Sequence, residues 1–250
     1  MNVQYSFQLY SARNFLPWDP ILAGLAKAGY QQVEGFGAVY ANPAEFAGSL
    51  KKAGLTMPTG HFSLDALEKE FDKTVRTAKT LGMAALFCPY ILPEQRPRDA
   101  AGWKAFAGRL AAIGAKLKET GLQFGWHNHD FEFRPMADGT LPMQAILDGA
   151  PGLSWEADIA WIVRGGADPS AWIEKHGKRI LAVHVKDIAP AGHNKDEDGW
   201  ADVGHGTVGW RGLMPLLRKR TAARWYVLEH DNPSDWRRFA TRSIESLRQY

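Results

Sequence analysis

Short runs rich in β-branched and aromatic residues alternate along the chain with longer stretches of helical period. The short runs fall at residues 3–9, 31–35, 56–61, 84–88, 122–127, 153–158, 180–185 and 225–229, and each predicts a strand. Between them, apolar positions recur every three or four residues over 19–28, 64–81, 101–120, 169–176 and 212–219, with a last helix over 234–249. Glycine follows three helical stretches, in Ala28-Gly29-Tyr30, Ala53-Gly54-Leu55 and Thr120-Gly121-Leu122, where a helix C-terminus favours a left-handed residue. Eight βα units in 250 residues, about 31 residues each, match an α/β fold of one closed (β/α)8 barrel, the TIM barrel. A single domain over 1–250 is expected. No Gly-x-Gly-x-x-Gly follows the first strand, which disfavours a dinucleotide-binding sheet.

Two stretches break the rhythm, 130–141 after strand five and 188–210 after strand seven. In this architecture the loops that follow strands build the face where chemistry occurs, so the last polar residue of each strand is informative. Those residues are Glu34, His61, His127, Asp158, His184 and Glu229, and strand one carries Gln8. His127, Asp158, His184 and Glu229 come from four successive strands. Two neutral imidazoles and two carboxylates form a mixed shell of formal charge −2, suited to one divalent cation: manganese, cobalt, iron, zinc or magnesium. The plainer reading of any one of them is a strand-end residue bonded to a loop.

Residues two apart on a strand share a face, which groups His129 with His127, Glu156 with Asp158 and Lys186 with His184. His129 is an alternative ligand. Glu156 either supports a ligand histidine from behind or pairs with Arg164. Lys186 is read as a group that binds a substrate oxygen or phosphate, as an acid if its pKa is depressed, or as a solvated rim lysine. Gln8, Glu34, His61, His129, Glu156 and Lys186 are the candidate substrate-binding set, with Glu34 and His61 facing the far hydroxyls of a sugar. Tyr10, Phe36, Tyr90, Trp126, Trp161 and Trp210 lie near strand ends and offer faces for a ring. The run Gly204-His205-Gly206-Thr207-Val208-Gly209 is either a phosphate loop or a turn.

Composition narrows the partners. With 45% hydrophobic residues and ten tryptophans the chain can bury a core, and its net charge is only +3. No basic run exceeds Arg218-Lys219-Arg220, so nucleic acid is not an expected partner. No stretch approaches the roughly 18 apolar residues of a membrane span, and residues 1–10 lack the pattern of a secretory leader. Cys88 is the one cysteine, which excludes an intrachain disulfide and permits a reducing compartment. A cytoplasmic location and a small-molecule sugar or polyol partner are expected, with homo-oligomerisation left open.

Five segments carry a further likeness: Phe7-Gln8-Leu9-Tyr10, Val33-Glu34-Gly35-Phe36, the stretch from Gly125 to Phe133 containing His127-Asn128-His129, the stretch from Trp161 to Pro169, and Val183-His184-Val185-Lys186-Asp187. Together they resemble the xylose isomerase-like TIM-barrel superfamily, and within it the sugar phosphate isomerases/epimerases, over essentially the whole chain. The resemblance implies one divalent metal, often manganese, at the ends of the last four strands, with a sugar or polyol bound through its carbonyl and adjacent hydroxyl. Asp158, His184 and Glu229 match the family's ligands. His127 departs, because the ketose epimerases have a glutamate there that pairs with the strand-eight glutamate as a second base. Inosose dehydratases and keto-sugar lyases look similar in the histidine-rich end of strand five.

The shared chemistry is proton abstraction α to a carbonyl through an enediolate, with Glu229 taking the proton and His127, His129 or Lys186 returning it. A sugar or sugar phosphate isomerase/epimerase is therefore expected. The alternatives are a dehydratase or lyase on a keto-sugar or keto-inositol, and a non-catalytic sugar-binding barrel. Apurinic endonuclease barrels are less similar: Cys88-Pro89 ends strand four, and Trp161 stands where they have a ligand histidine.

Overall fold

A computed structural model describes residues 4–250. Eight parallel strands form a closed barrel: β1 Tyr5–Gln8, β2 Gln32–Gly35, β3 Thr56–His61, β4 Ala85–Cys88, β5 Gln123–His127, β6 Ser154–Asp158, β7 Ile180–Val185 and β8 Trp225–Leu228. Each pairs with its sequence neighbours, and β8 closes on β1 through Tyr5↔Tyr226 and Phe7↔Leu228. The sequence pattern placed all eight; Val3, at the start of the first expected strand, lies outside the described residues. The register shifts twice, between Gln32 and Glu34 and between Trp155 and Glu156, each time beside a carboxylate of the candidate site.

Outward positions of the strands join the helices in the main core, whose largest members include Phe7, Trp126 and Trp155. Inward positions change character along each strand. On β8 and the residue that follows it they run Trp225, Val227 and Glu229, and Ala85, Phe87, Leu181 and Ala182 join the first two in a separate apolar cluster. The lower barrel is thus packed with apolar side chains, and charge begins only at the C-terminal ends.

Gly29 and Gly54 follow helices Trp18–Ala28 and Pro43–Ala53 with φ of 97° and 71°, the left-handed geometry expected of them. The expected helix over 64–81 is two helices, Leu64–Lys69 and Phe71–Leu81. Glu70 leaves helical geometry at the junction, and the Ala66 carbonyl accepts both the Glu70 N–H and the Thr74 hydroxyl. Helices Pro43–Ala53, Pro142–Gly149 and Ile159–Arg164 stand beside those expected from the sequence pattern. The long loop after β7 carries a hairpin, Asp187–Ile188 against Trp200–Ala201. Among the described residues no helix is long and apolar enough to cross a membrane.

Candidate active site

At the C-terminal mouth the inward side chains of β2, β3 and β5–β8 meet in one buried cluster. Glu156 is its centre: its Oε2 lies 2.6 Å from His61 Nε2, 3.1 Å from His127 Nδ1 and 3.4 Å from His184 Nε2. His184 bridges the cluster, with Nε2 at 2.7 Å from Glu34 Oε1 and Nδ1 at 3.0 Å from Glu229 Oε2. Gln8 Nε2 donates to the same Glu34 oxygen at 2.8 Å. Glu156 therefore contacts histidines, and the pairing with Arg164 does not form; Arg164 donates instead to the Asp198 carbonyl and lies over the Trp200 ring.

Burial sets the protonation of this cluster, and the neighbours decide each outcome. Burial works against charge on His61 and His184, but the surrounding carboxylates prevail, holding His61 up to about 10 and His184 well above the ordinary imidazole value. For His127 and His129 the balance falls the other way: desolvation, joined by nearby positive charge, pushes both down, His129 to about 3 against the opposing charge of Glu229, which favours neutral imidazoles. Desolvation raises Glu156, reinforced by the charge on Glu34, and raises Asp158 to about 6. Glu229 goes the other way: burial opposes its charge, yet Lys186 and His184 hold it well below the carboxylate range.

Lys186 is completely buried. Its ammonium lies 2.6 Å from Asp231 Oδ1, 3.1 Å from Glu229 Oε2 and 3.7 Å from Asp158 Oδ2, with the Trp200 ring centroid 4.5 Å away. These three carboxylates outweigh desolvation and raise its pKa. Neither a solvated rim lysine nor an acid with a depressed pKa fits this arrangement, so both readings are corrected: Lys186 is a fixed internal cation. Asp231 was missed, although it stands two residues beyond Glu229 and the same-face rule that linked the other pairs reaches it.

Two buried side chains aim the site. Asn128 accepts from Trp155 Nε1 at 2.8 Å and from Asp158 N at 3.0 Å, tying β5 to β6. Glu132, in the loop after β5, accepts from Trp126 Nε1 and from His129 N, both at 2.9 Å, and burial lifts its pKa to about 8. Asp158 Oδ1 accepts from Trp161 N, capping the helix Ile159–Arg164, which leaves Oδ2 without a hydrogen-bond partner.

Above the cluster opens a cavity of about 860 Å³. His61, His127, His129 and Glu229 reach its wall, together with Asp231 and Arg13. Gln8, Glu34, Glu156, Asp158, His184 and Lys186 lie in the layer beneath, each fully buried. Of the aromatic residues singled out in the sequence, Tyr10, Phe36 and Tyr90 line the cavity. Trp126, Trp161 and Trp210 do not line it; Trp161 packs against His129 and Trp200, and Trp210 donates to the Lys186 carbonyl. His129 Nδ1 and the Tyr40 hydroxyl are buried without a partner.

The Gly204–Gly209 run is a turn built around an internal anion. Gly204 N and Gly206 N donate to Asp187 Oδ2 at 2.9 and 3.2 Å, and Val208 N to Oδ1 at 3.0 Å. A Cβ at Gly206 would collide with that carboxylate. The backbone donors a phosphate needs are already engaged by Asp187, which overturns the phosphate-loop reading.

The donor set suits a divalent metal. One ligand atom from each of His127, Asp158, His184 and Glu229 lies within 4.8 Å of the others, and His61, His127, Glu156 and His184 form a second such group. Glu34 Oε2, Glu156 Oε1 and Asp158 Oδ2 are buried carboxylate oxygens without hydrogen-bond partners, the kind of group a cation satisfies.

Comparison with known proteins places the fold. A family model described as xylose isomerase-like TIM barrel matches residues 22–250. A sugar phosphate isomerase/epimerase from Parabacteroides distasonis superposes with a TM-score of 0.81 at 20% identity, covering 99% of this chain and 94% of that one. A probable 3-DHS dehydratase of petrobactin synthesis from Bacillus anthracis gives 0.77 at 16%, covering 98% and 99%. The 3-keto-D-glucoside 4-epimerase of E. coli gives 0.74 at 17%, covering both chains completely. At such identities the superpositions establish the fold. No curated protein matches the sequence.

Proposed function

The chain belongs to the xylose isomerase-like TIM barrel family, and from that premise we propose that it is a divalent-metal-dependent isomerase or epimerase of a sugar or sugar phosphate. The proposed reaction is proton abstraction α to a carbonyl through an enediolate. The observation that carries it is the convergence of His127, Asp158, His184 and Glu229 beneath a substrate-sized cavity. These four residues would hold the ion, with manganese the first to test and cobalt, iron, zinc or magnesium after it. A bound divalent ion polarises a substrate carbonyl and stabilises the negative charge that develops on its oxygen.

The side chains of this protein supply the proton transfers. Glu229 and His129 both line the cavity and are both unprotonated at neutral pH, Glu229 as carboxylate and His129 as neutral imidazole. Glu229 takes the proton from carbon, and His129, with its unpartnered Nδ1, holds or returns it. Glu132 fixes His129 through the backbone, and Lys186 keeps Glu229 ionised. From beneath, Glu34 and Glu156 orient the histidines, Gln8 holds Glu34, and Lys186 holds Glu229 and Asp231. A second reading has its own support: with His127 at the end of β5, Glu229 is the only carboxylate of the quartet on the cavity wall, which suits one-base elimination of a β-hydroxyl as in a dehydratase.

The proposal treats residues 1–250 as one domain acting on a small sugar or polyol in the cytoplasm, where the buried, unpaired Cys88 would stay reduced. The test is elemental analysis beside a His184→Ala/Glu229→Gln variant, followed by exchange of keto-sugars in heavy water. One manganese, cobalt, iron or zinc per chain, lost in the variant, together with deuterium uptake, supports the reading. No metal after reconstitution, or no uptake across the panel, sinks it.

A further inference from the structure

The cavity has two chemically different sides. The acid–base groups stand at the ends of β5 and β8, with His61 beside them. The loops after β1 to β4 present Tyr10, Phe36, Phe62, Tyr90 and Leu92. Tyr10 and Phe36 meet edge to face at 5.4 Å, and Phe62 stacks on Tyr40 at 4.4 Å, so this side is a built aromatic wall. Tyr90 and Leu92 keep 37% and 49% of their surface exposed, which is apolar area left for an occupant to cover.

Several polar side chains on that aromatic side are already engaged within the protein. Ser63 Oγ accepts from Ala66 N, Asp65 pairs with Lys69 at 3.0 Å, and Gln95 Oε1 accepts from Leu92 N. Arg13 donates to the carbonyls of Tyr10 and Asp231, with its guanidinium 3.7 Å over the Tyr10 ring. Glu34, expected to meet far hydroxyls of a sugar, is buried below and bonded to Gln8 and His184. The polar groups left to a hydroxyl-rich or phosphorylated tail on this side are few, the unpartnered Tyr40 hydroxyl among them, and Asp187 already fills the glycine-rich loop. A volume of about 860 Å³ is near the top of the range for drug-sized ligands, roughly 300–1,000 Å³, and one sugar ring leaves the aromatic wall uncovered.

We propose that the aromatic wall is an aglycone subsite, and that the substrate is an unphosphorylated keto-sugar glycoside carrying an aromatic aglycone. The sugar carbonyl faces His129 and Glu229, and the aglycone ring lies against Phe36 and Tyr90. This deepens the sugar isomerase/epimerase reading and rests on it for the orientation of the sugar.

Binding is tested by titration calorimetry of the manganese-supplemented protein with phenyl β-D-glucoside, methyl β-D-glucoside and glucose 6-phosphate. The phenyl glycoside is expected to bind about tenfold more tightly than the methyl glycoside, and glucose 6-phosphate no more tightly than the methyl glycoside. Phe36→Leu and Tyr90→Leu, which keep an apolar wall and remove its rings, are expected to cut the phenyl-to-methyl ratio severalfold. Equal binding of phenyl and methyl glycosides, or preference for the phosphate, overturns the subsite. Heavy-water exchange is read separately with keto-glycosides of the same two aglycones. Phenyl preference without exchange leaves the subsite standing and removes the isomerase reading; exchange without phenyl preference does the reverse.

Discussion

Replacing Lys186 with methionine tests the charge logic of the whole site. Methionine keeps most of the buried stem, so little packing is lost and the change is mainly the removal of one positive charge. That charge sits within 4 Å of Asp158, Glu229 and Asp231. Breaking a buried ion pair from one side costs about 3–5 kcal/mol, and this structure places the variant at the upper end because three carboxylates share the cation. The deficit must depend on pH. In the variant the three carboxyls titrate higher than in the unfolded chain, where they ionise near 4, so the folded state takes up protons as pH falls from 7 to 5 and the deficit narrows. The wild type shows the opposite limb at high pH: the raised pKa of Lys186 contributes stability fully present below about 10.5 and lost as pH rises through the folded value. Urea unfolding followed by tryptophan fluorescence at pH 5, 7 and 9 reads the deficit and its narrowing below pH 7. A deficit below about 1 kcal/mol, or one that stays constant between pH 5 and 7, would refute a buried ammonium held by three carboxylates.

Further outcomes follow from other parts of the fold. Asp187→Ala removes the acceptor of four backbone N–H groups, so the Gly204–Gly209 turn is expected to become sensitive to limited proteolysis with a loss of about 2–3 kcal/mol, whereas unchanged cleavage would show that the turn holds itself. Burial depresses His230 to about 3, so its neutral form contributes stability that is lost as pH falls below the unfolded value of about 6.5. His230→Asn, which keeps an acceptor for Asn232 N, should therefore lose about 1–2 kcal/mol less than wild type between pH 7 and 5, and parallel curves would contradict a neutral buried imidazole. Manganese at about 100 times its dissociation constant should stabilise the wild type by about 2.7 kcal/mol and leave His184→Ala/Glu229→Gln unmoved; equal shifts in both would place the ion elsewhere.

The barrel was readable because its signals are local. Strand and helix periods repeat eight times, and helix-ending glycines mark where units join. Same-face spacing also brought His129, Glu156 and Lys186 to the strand ends where the structure has them. The protonation of Lys186 was not readable, because it depends on Asp158, Glu229 and Asp231, which come from two other strands and the residues beyond them. The break at Glu70 carries no glycine or proline to announce it. The glycine-rich run looked free for an anion because nothing local announces that Asp187, seventeen residues before Gly204, turns its carboxylate into it.

A parallel barrel that pairs every strand with its sequence neighbour turns order along the chain into position around the rim. Here the aromatic wall comes from residues 10–92, and the acid–base groups, His61 apart, come from residues 127–231. The two sides are therefore separable by inheritance. Recombining the first half with that of a relative would recast the shape of the chamber while carrying the carboxylate and histidine array over nearly intact, with His61 and the buried pair Gln8 and Glu34 as the only members at the seam. A lineage of such barrels can diversify what it holds faster than what it does.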